Sequence, residues 1–277
     1  MSCARQSRAD STIVLRPLSI SSLRALAALR VMRAAAAGLA DLLLPRVCVV
    51  CERPLAAHER GVVCGRCWTR LDALPHPQCA RCGHPHIKHS CGWCALLPPF
   101  VRAVRSVCWA PTGAGGAIIH ALKYDGWRAA AEGMAERMAR LAWPIDVVEE
   151  RTALVPVPLS HARLRERGFN QSELIAGALA SRWRIPVWTD LLSRQRNTET
   201  QTRLTPGDRL RNVAGAFDVS SSVATRLRGA HLMLVDDVVT TAATLNACAE
   251  TLMEGGARII SYVTFGRARS ASDRPLS

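Results

Sequence analysis

Four Cys-x-x-Cys pairs, Cys48/Cys51, Cys64/Cys67, Cys79/Cys82 and Cys91/Cys94, crowd into residues 48–94 and constrain this chain more than any other feature. Each pair can bend into a tight knuckle that presents two thiolates to one metal, and two knuckles complete a tetrahedral shell with Zn–S distances of about 2.3 Å. Four pairs therefore imply two structural zinc ions. The simplest partition is sequential, Cys48, Cys51, Cys64 and Cys67 holding one ion and Cys79, Cys82, Cys91 and Cys94 the other; interleaved pairing stays open. A disulfide framework is the competing reading. The first twenty or so residues, however, lack the uninterrupted apolar core and cleavage site of a secretory signal, so the expected compartment is the reducing cytoplasm, where thiolates persist. Those residues read as a disordered tail or a start codon placed too early. His84, His86 and His89 could replace a thiolate, but four cysteines already fill each shell, so exposed loop histidines are expected. A segment this short buries too little apolar surface to fold alone, and metal would supply its folding free energy. Trp68 and Trp93 beside the knuckles are expected to cover the metal sites, with stacking on bases as the alternative. Cys3, Cys108 and Cys248 read as ordinary thiols or buried small hydrophobes.

Beyond Pro98-Pro99 the pattern changes. Strands are predicted near Val104–Ala110, Ala153–Val157, His231–Val235 and Ile259–Phe265, and helices over Ala114–Lys123, Arg128–Ala142, Phe169–Trp183 and Thr244–Glu254, after a short helix at Ala35–Leu44. Such alternation implies an α/β fold, a mostly parallel sheet covered on both faces, with ligands at the carboxyl ends of the strands. The 277 residues leave room for that core plus one accessory module, and 49% hydrophobic with 21% charged residues excludes a wholly disordered chain. The apolar stretch Leu23–Leu44 carries Arg24, Arg30, Arg33 and Asp41, so no membrane span is predicted. A net charge of +14 points to polyanionic partners, a phosphorylated small molecule, nucleic acid or an anionic surface. Only 5% of residues are aromatic, so stacking platforms for nucleic acid are few.

The stretch HLMLVDDVVTTAAT, residues 231–244, is an apolar strand that ends in two carboxylates and then a hydroxyl-rich loop. Adjacent acids at a strand terminus suit vicinal hydroxyls, each carboxylate accepting charge-assisted hydrogen bonds from a ribose, so Asp236 and Asp237 are ribose candidates. Thr240, Thr241, Ala242, Ala243 and Thr244 sit where backbone N–H groups and hydroxyls can surround a phosphate at a helix N-terminus. An acidic turn with a threonine cap is the bland alternative. After the second strand, Arg163, Arg165 and Arg167 follow in quick succession, and Asn170 with Glu173 forms a capping box. The polar run Gln195–Ala216 is too long for a routine connection.

LMLVDDVVTTAAT resembles the 5-phosphoribosyl 1-pyrophosphate (PRPP) motif of type I phosphoribosyltransferases, and VPVPLSHARLRERGFNQSELIA, Val155–Ala176, is similar to the signature of the competence protein F (ComF) family. ALKYDG, the cysteine pairs, and Thr198, Gln201, Leu204, Arg209, Asn212, Gly215 and Phe217 fit the same family. The resemblance implies a leader over 1–38, a double zinc ribbon over 39–97, a type I phosphoribosyltransferase-like (Rossmann-like) domain over 100–268 and a tail over 269–277. It places Leu159, Ser160, Arg163 and Arg167 at a pyrophosphate loop, makes Gln195–Ala216 a flap carrying Arg209 over bound PRPP, and brings Lys123 to the site. The implied reaction is displacement of magnesium-bound pyrophosphate from the anomeric carbon by an acceptor the sequence does not name, with stabilisation of the leaving group as the main catalytic effect. Thr240 stands where purine-handling relatives carry an acid, which argues against ordinary purine salvage. Where the family has glycine this chain has Ala242, whose methyl narrows the backbone and is expected to weaken phosphate binding. The family's association with competence implies a role in DNA uptake or the use of imported DNA, with single-stranded DNA, a DNA-uptake helicase or another competence protein as partners. The alternatives are a non-catalytic zinc-ribbon adaptor for single-stranded DNA or a helicase, and a nucleic-acid binder whose α/β domain is structural only.

Overall fold

The computed structural model describes Met32 and residues 45–85, 91–195, 215–219 and 224–269. The predicted helix Ala35–Leu44, the histidines at 86 and 89, and most of the predicted flap lie outside the described residues, as does nearly all of the unit Met1–Arg46. The second unit, Val47–Ser277, holds both knuckle pairs and the sheet in one compact body.

Four parallel strands form the centre: β1 (Val101–Ala110), β2 (Arg151–Pro156), β5 (His231–Val239) and β6 (Ile259–Ala268), in the order β1-β6-β5-β2. A small antiparallel pair, β3 (Leu192–Arg194) and β4 (Phe217–Val219), stands apart and brackets the predicted flap. The helices are α1 (Gly65–Thr69), α2 (Gly113–Lys123), α3 (Ala130–Ala139), α4 (Ile145–Glu150), α5 (His161–Arg167), α6 (Gln171–Trp183), α7 (Ala224–Leu227) and α8 (Ala243–Glu254). The parallel α/β expectation holds. The pattern reading does not foresee the short helices α1, α4, α5 and α7 or the pair β3 and β4, and β5 runs on to Val239 instead of stopping at Val235. The reason for the last is that β5 is a central strand whose pairing with β6 continues through Asp236↔Thr264 to Val239↔Arg267.

Alternation along β5 divides the core. Leu232 and Leu234 pack with Tyr262, Leu245, Ala249 and Leu252 on the α8 face, while Met233 and Val235 pack with Ile118, Met134, Ile175 and Leu179 on the face of α2, α3 and α6. The knuckles divide the same way: Cys48, Cys64 and Cys67 are buried in the second cluster, Cys82 and Trp93 in the first. The cysteine-rich module thus grips both faces of the sheet. The chain between the two knuckle pairs runs along the outer side of β1, with Trp109 N donating to Asp72 O at 2.7 Å and Val104 N to Arg81 O at 2.8 Å. At the opposite edge Leu154 of β2 exchanges hydrogen bonds of 2.9 Å with Pro186 and Trp188, so neither edge of the sheet is left open there.

Trp68 explains one glycine. Its ring meets Phe265 edge-on, with centroids 6.2 Å apart, lies under the Arg137 guanidinium at 3.4 Å, and is so close to α3 that a Cβ on Gly133 would come within 2.4 Å of it.

Candidate functional site

The two metal sites close in the sequential partition: Sγ atoms of Cys48, Cys51, Cys64 and Cys67, and those of Cys79, Cys82, Cys91 and Cys94, all lie within 4.8 Å of one another in each set. Cys51–Cys64, Cys79–Cys94 and Cys82–Cys91 are 3.8, 3.4 and 3.4 Å apart. A tetrahedral zinc with arms of about 2.3 Å needs edges of about 3.8 Å, so both shells fit the ion. Backbone N–H groups already point at sulfur in the first shell, Cys64 N to Cys48 Sγ and Cys67 N to Cys64 Sγ at 3.3 Å each. Two four-cysteine clusters of this shape support structural zinc. His84 corrects an expectation: it is 8% exposed, stacked parallel to Trp93 and edge-on to Trp109, and packs between knuckle and sheet instead of facing solvent. Cys108 and Cys248 are fully buried thiols.

The acid pair lies near the carboxyl end of β5, two residues before its last, Val239. Asp237, 2% exposed, is ion-paired with Lys123 from the end of α2 and accepts a 3.1 Å hydrogen bond from Gln171 Nε2 on α6. Asp236 Oδ1 accepts from Ser172 Oγ and from its neighbour's backbone N–H, both at 2.9 Å. Burial opposes ionisation of Asp237, but the Lys123 charge and the hydrogen bonds from Lys123 and Gln171 outweigh it and hold this carboxyl below its ordinary range. Burial and the adjacent Asp237 charge push Asp236 the other way, up to about 7. Burial alone would lower Lys123, yet the Asp237 charge keeps it above its ordinary value. The pair therefore carries unequal charge, with one carboxylate locked to an ammonium and the other poised.

Immediately after β5 the chain turns through Thr240 and Thr241 into α8. Ala242, 3% exposed, sits at φ 61° and ψ 4°, the left-handed conformation that the glycine of the family motif would adopt without a Cβ. Ala242, at the N-cap of α8, has no side-chain hydrogen bond to offer, and Asn246 N closes the first helical turn on Ala242 O at 2.7 Å. Thr241 Oγ1 is buried without a partner among the described residues. The loop has the shape and donors of an anion cradle.

The predicted pyrophosphate loop is a helix. Ser160, 5% exposed, caps α5 by accepting from Arg163 N at 3.4 Å, and Leu159 is half-buried just before it. Arg163 and Arg167 project from α5; Arg167 hydrogen-bonds Gln171 Oε1 and lies 5.4 Å from the Tyr124 ring. A hydrogen-bonded line Arg167–Gln171–Asp237–Lys123 results, flanked by a cavity of about 140 Å³ lined by Lys123, Tyr124, Gly126, Glu166, Arg167 and Phe169. Asn170 caps α6 by accepting from Ser172 N at 3.0 Å. Arg209 lies outside the described residues. Three residues escaped the pattern reading: Gln171 and Ser172, which look like ordinary first-turn residues until β5 is laid beside α6, and Arg194. The last sits half-buried on β3 over Phe217, with its charge acting on Asp236 and Arg163.

This assembly defines a phosphoribosyltransferase-like α/β domain joined to a double zinc ribbon, and comparison with known proteins agrees: family models for the double zinc ribbon domain and the phosphoribosyl transferase domain match residues 39–96 and 170–275. The Escherichia coli "DNA utilization protein YhgH" is 34% identical over 232 residues, which cover 79% of this chain and 96% of that protein. "Competence protein F" of Haemophilus influenzae is 38% identical over 117 residues, covering 42% and 50%, and "Competence protein ComFC" of Bacillus subtilis 35% over 122, covering 44% and 46%. The chain belongs to the family these proteins form, the competence protein F (ComF) family. Among the described residues no helix is long and apolar enough to cross a membrane.

Proposed function

We propose that the carboxyl end of β5 binds PRPP with magnesium, and that the protein serves the use of DNA taken up by the cell, as the names of its relatives indicate for those proteins. The observation that carries this reading is the junction of two unlike elements, the anchored acid pair Asp236–Asp237 and, directly after it, the Thr240–Thr244 turn with its left-handed Ala242 and partnerless Thr241 hydroxyl. Asp236 and Asp237 would take the ribose hydroxyls, the turn the 5-phosphate, and Ser160, Arg163 and Arg167 the pyrophosphate. Magnesium bound together with PRPP would offset negative charge on the pyrophosphate. Lys123 holds Asp237 ionised and oriented as a ribose acceptor, while Arg163, Arg167 and Arg194 supply positive charge on the leaving-group side. Zinc-bound thiolates of this number accord with a reducing, cytoplasmic setting.

A second reading, a non-catalytic adaptor for single-stranded DNA or a helicase, is favoured by one observation: the left-handed position is filled by Ala242, an L-residue held in a conformation that favours glycine. Calorimetric titration of magnesium and PRPP into the zinc-loaded protein separates the two. Saturable binding that is lost in Asp236→Asn/Asp237→Asn supports the transferase-like site; no binding to folded wild-type protein leaves the adaptor.

A further inference from the structure

Gln171, the first residue of α6, is 4% exposed and uses both ends of its side-chain amide. Its Oε1 accepts from Arg167 Nη1, and its Nε2 donates to Asp237 Oδ1 at 3.1 Å. Arginine can only donate, so the Arg167 contact fixes which end of the amide is the oxygen and turns the NH2 group toward Asp237. An ionised carboxylate only accepts, so the amide fits Asp237 in this orientation and not in the reverse one. With Lys123 ion-paired to Oδ2 and Gln171 on Oδ1, Asp237 is held from α2 and α6 at once. Arg167 stands half-buried on α5, a helix with no buried side chain of its own, and lines the cavity of about 140 Å³ together with Lys123, Tyr124 and Phe169. The bond to Gln171 uses one N–H of Nη1, and the guanidinium has four more to offer an anion in that cavity.

We infer that Gln171 is a positioning residue that couples the two halves of the PRPP site: Arg167 on the pyrophosphate side sets the Gln171 amide, and the amide sets the Asp237 carboxylate for the ribose hydroxyls. The ligands are those of the PRPP reading, on which this rests, but the coupling is present without them. Packing asks no more of position 171 than a side chain of this volume. The line Arg167–Gln171–Asp237 asks for an acceptor facing the arginine and a donor facing the acid, which a carboxamide supplies and an apolar side chain of equal volume does not. Loss of Arg167 frees the amide to turn its oxygen on Asp237, so a change on the pyrophosphate side is felt on the ribose side.

Ribose 5-phosphate, which has the hydroxyls and the phosphate but no pyrophosphate, is the probe, titrated calorimetrically into the zinc-loaded full chain. Arg167→Met and Gln171→Met are each expected to weaken its binding ~3–30-fold, and the double variant to bind no more weakly than Gln171→Met alone. Arg165→Met removes the same charge from an exposed position of α5 and is expected to leave the affinity within about twofold of wild type. Additive losses, an unchanged affinity in Arg167→Met, or an equal loss in Arg165→Met would overturn the coupling. A readout without ligand keeps it separate from the PRPP reading. In nitrogen-15 spectra of the ligand-free protein one Gln171 Nε2 proton is expected well downfield of the other, and this inequivalence is expected to collapse in Arg167→Met and persist in Arg165→Met. Persistence in Arg167→Met refutes the coupling. A wild type that binds neither PRPP nor ribose 5-phosphate yet shows the collapse upholds the coupling and removes the PRPP reading. Should Gln171→Met fail to fold, Arg167→Met against Arg165→Met decides, since α5 contributes no buried side chain to the core.

Discussion

Asp236 is the residue at which stability and ligand chemistry oppose each other. Its carboxyl is raised to about 7 by burial and by Asp237. An acid whose folded pKa lies above its unfolded value stabilises the fold fully below the unfolded pKa, near 4, and that contribution is lost as pH rises through about 7. The charges that face it are Asp237, Lys123 and Arg194. Asp236→Asn keeps an oxygen for Ser172 and the Asp237 N–H but cannot ionise. The ligand-free variant is expected to be more stable than wild type at pH 8 by roughly 1–3 kcal/mol, with the difference vanishing below about pH 4, while PRPP binding falls. Denaturant melts at the two pH values check this; equal stability at pH 8 contradicts it. Ala242 presents the same opposition in the backbone, where an L-residue held at φ 61° costs about 1–2 kcal/mol relative to the right-handed basin.

At the scale of elements, α8 shows how a metal knuckle supports the site. Asn246, one turn into α8, donates to Leu96 O at 2.7 Å, two residues past Cys94, and accepts from Tyr262 of β6 at 3.0 Å. One side chain therefore joins α8, the second knuckle and the sheet. Asn246→Ala is expected to destabilise the fold by roughly 1–3 kcal/mol, since it leaves the buried Tyr262 hydroxyl without its partner and frees the carbonyl of the exposed Leu96. A urea melt reads the loss, and a change within 0.5 kcal/mol, about the spread of ordinary surface substitutions, would show that water replaces the amide. Of the elements, β1, β2, β6, α2 and α8 were legible within a few residues from apolar periodicity. The short helix α5 was not. Its sequence HARLRER presents no buried face, so nothing periodic announces it, and Ser160 and Gly168 mark its ends only once the hydrogen bonds are known.

Taken whole, the cysteine module is part of the core and not an appendage. Its two knuckle pairs bury side chains on opposite faces of one sheet, and its connecting chain covers the outer side of β1. Removal of both metals with a strong chelator is therefore expected to lower the melting temperature of the entire unit Val47–Ser277 in a single transition. Calorimetry reads this directly, and a chelated protein that keeps an unshifted transition for the sheet would mean the module folds as an independent domain.

The amino-acid sequence by itself determined the candidate chemistry: eight cysteines in four close pairs have the spacing of metal knuckles, and an apolar strand carrying Asp236-Asp237 shortly before a threonine turn presents carboxylates and donors together. These are local facts, written in residues adjacent along the chain. Only the tertiary structure decided who stands beside whom. Lys123, Gln171 and Ser172 meet the acids, and Arg267 meets Cys82, across separations of 64 to 185 residues for the hydrogen-bonded pairs. Such contacts depend on strand order and helix docking. The physical reason is that a charge or a polar donor becomes specific on burial, when its partner replaces water, and the sequence names the residues without saying which of them share a buried space.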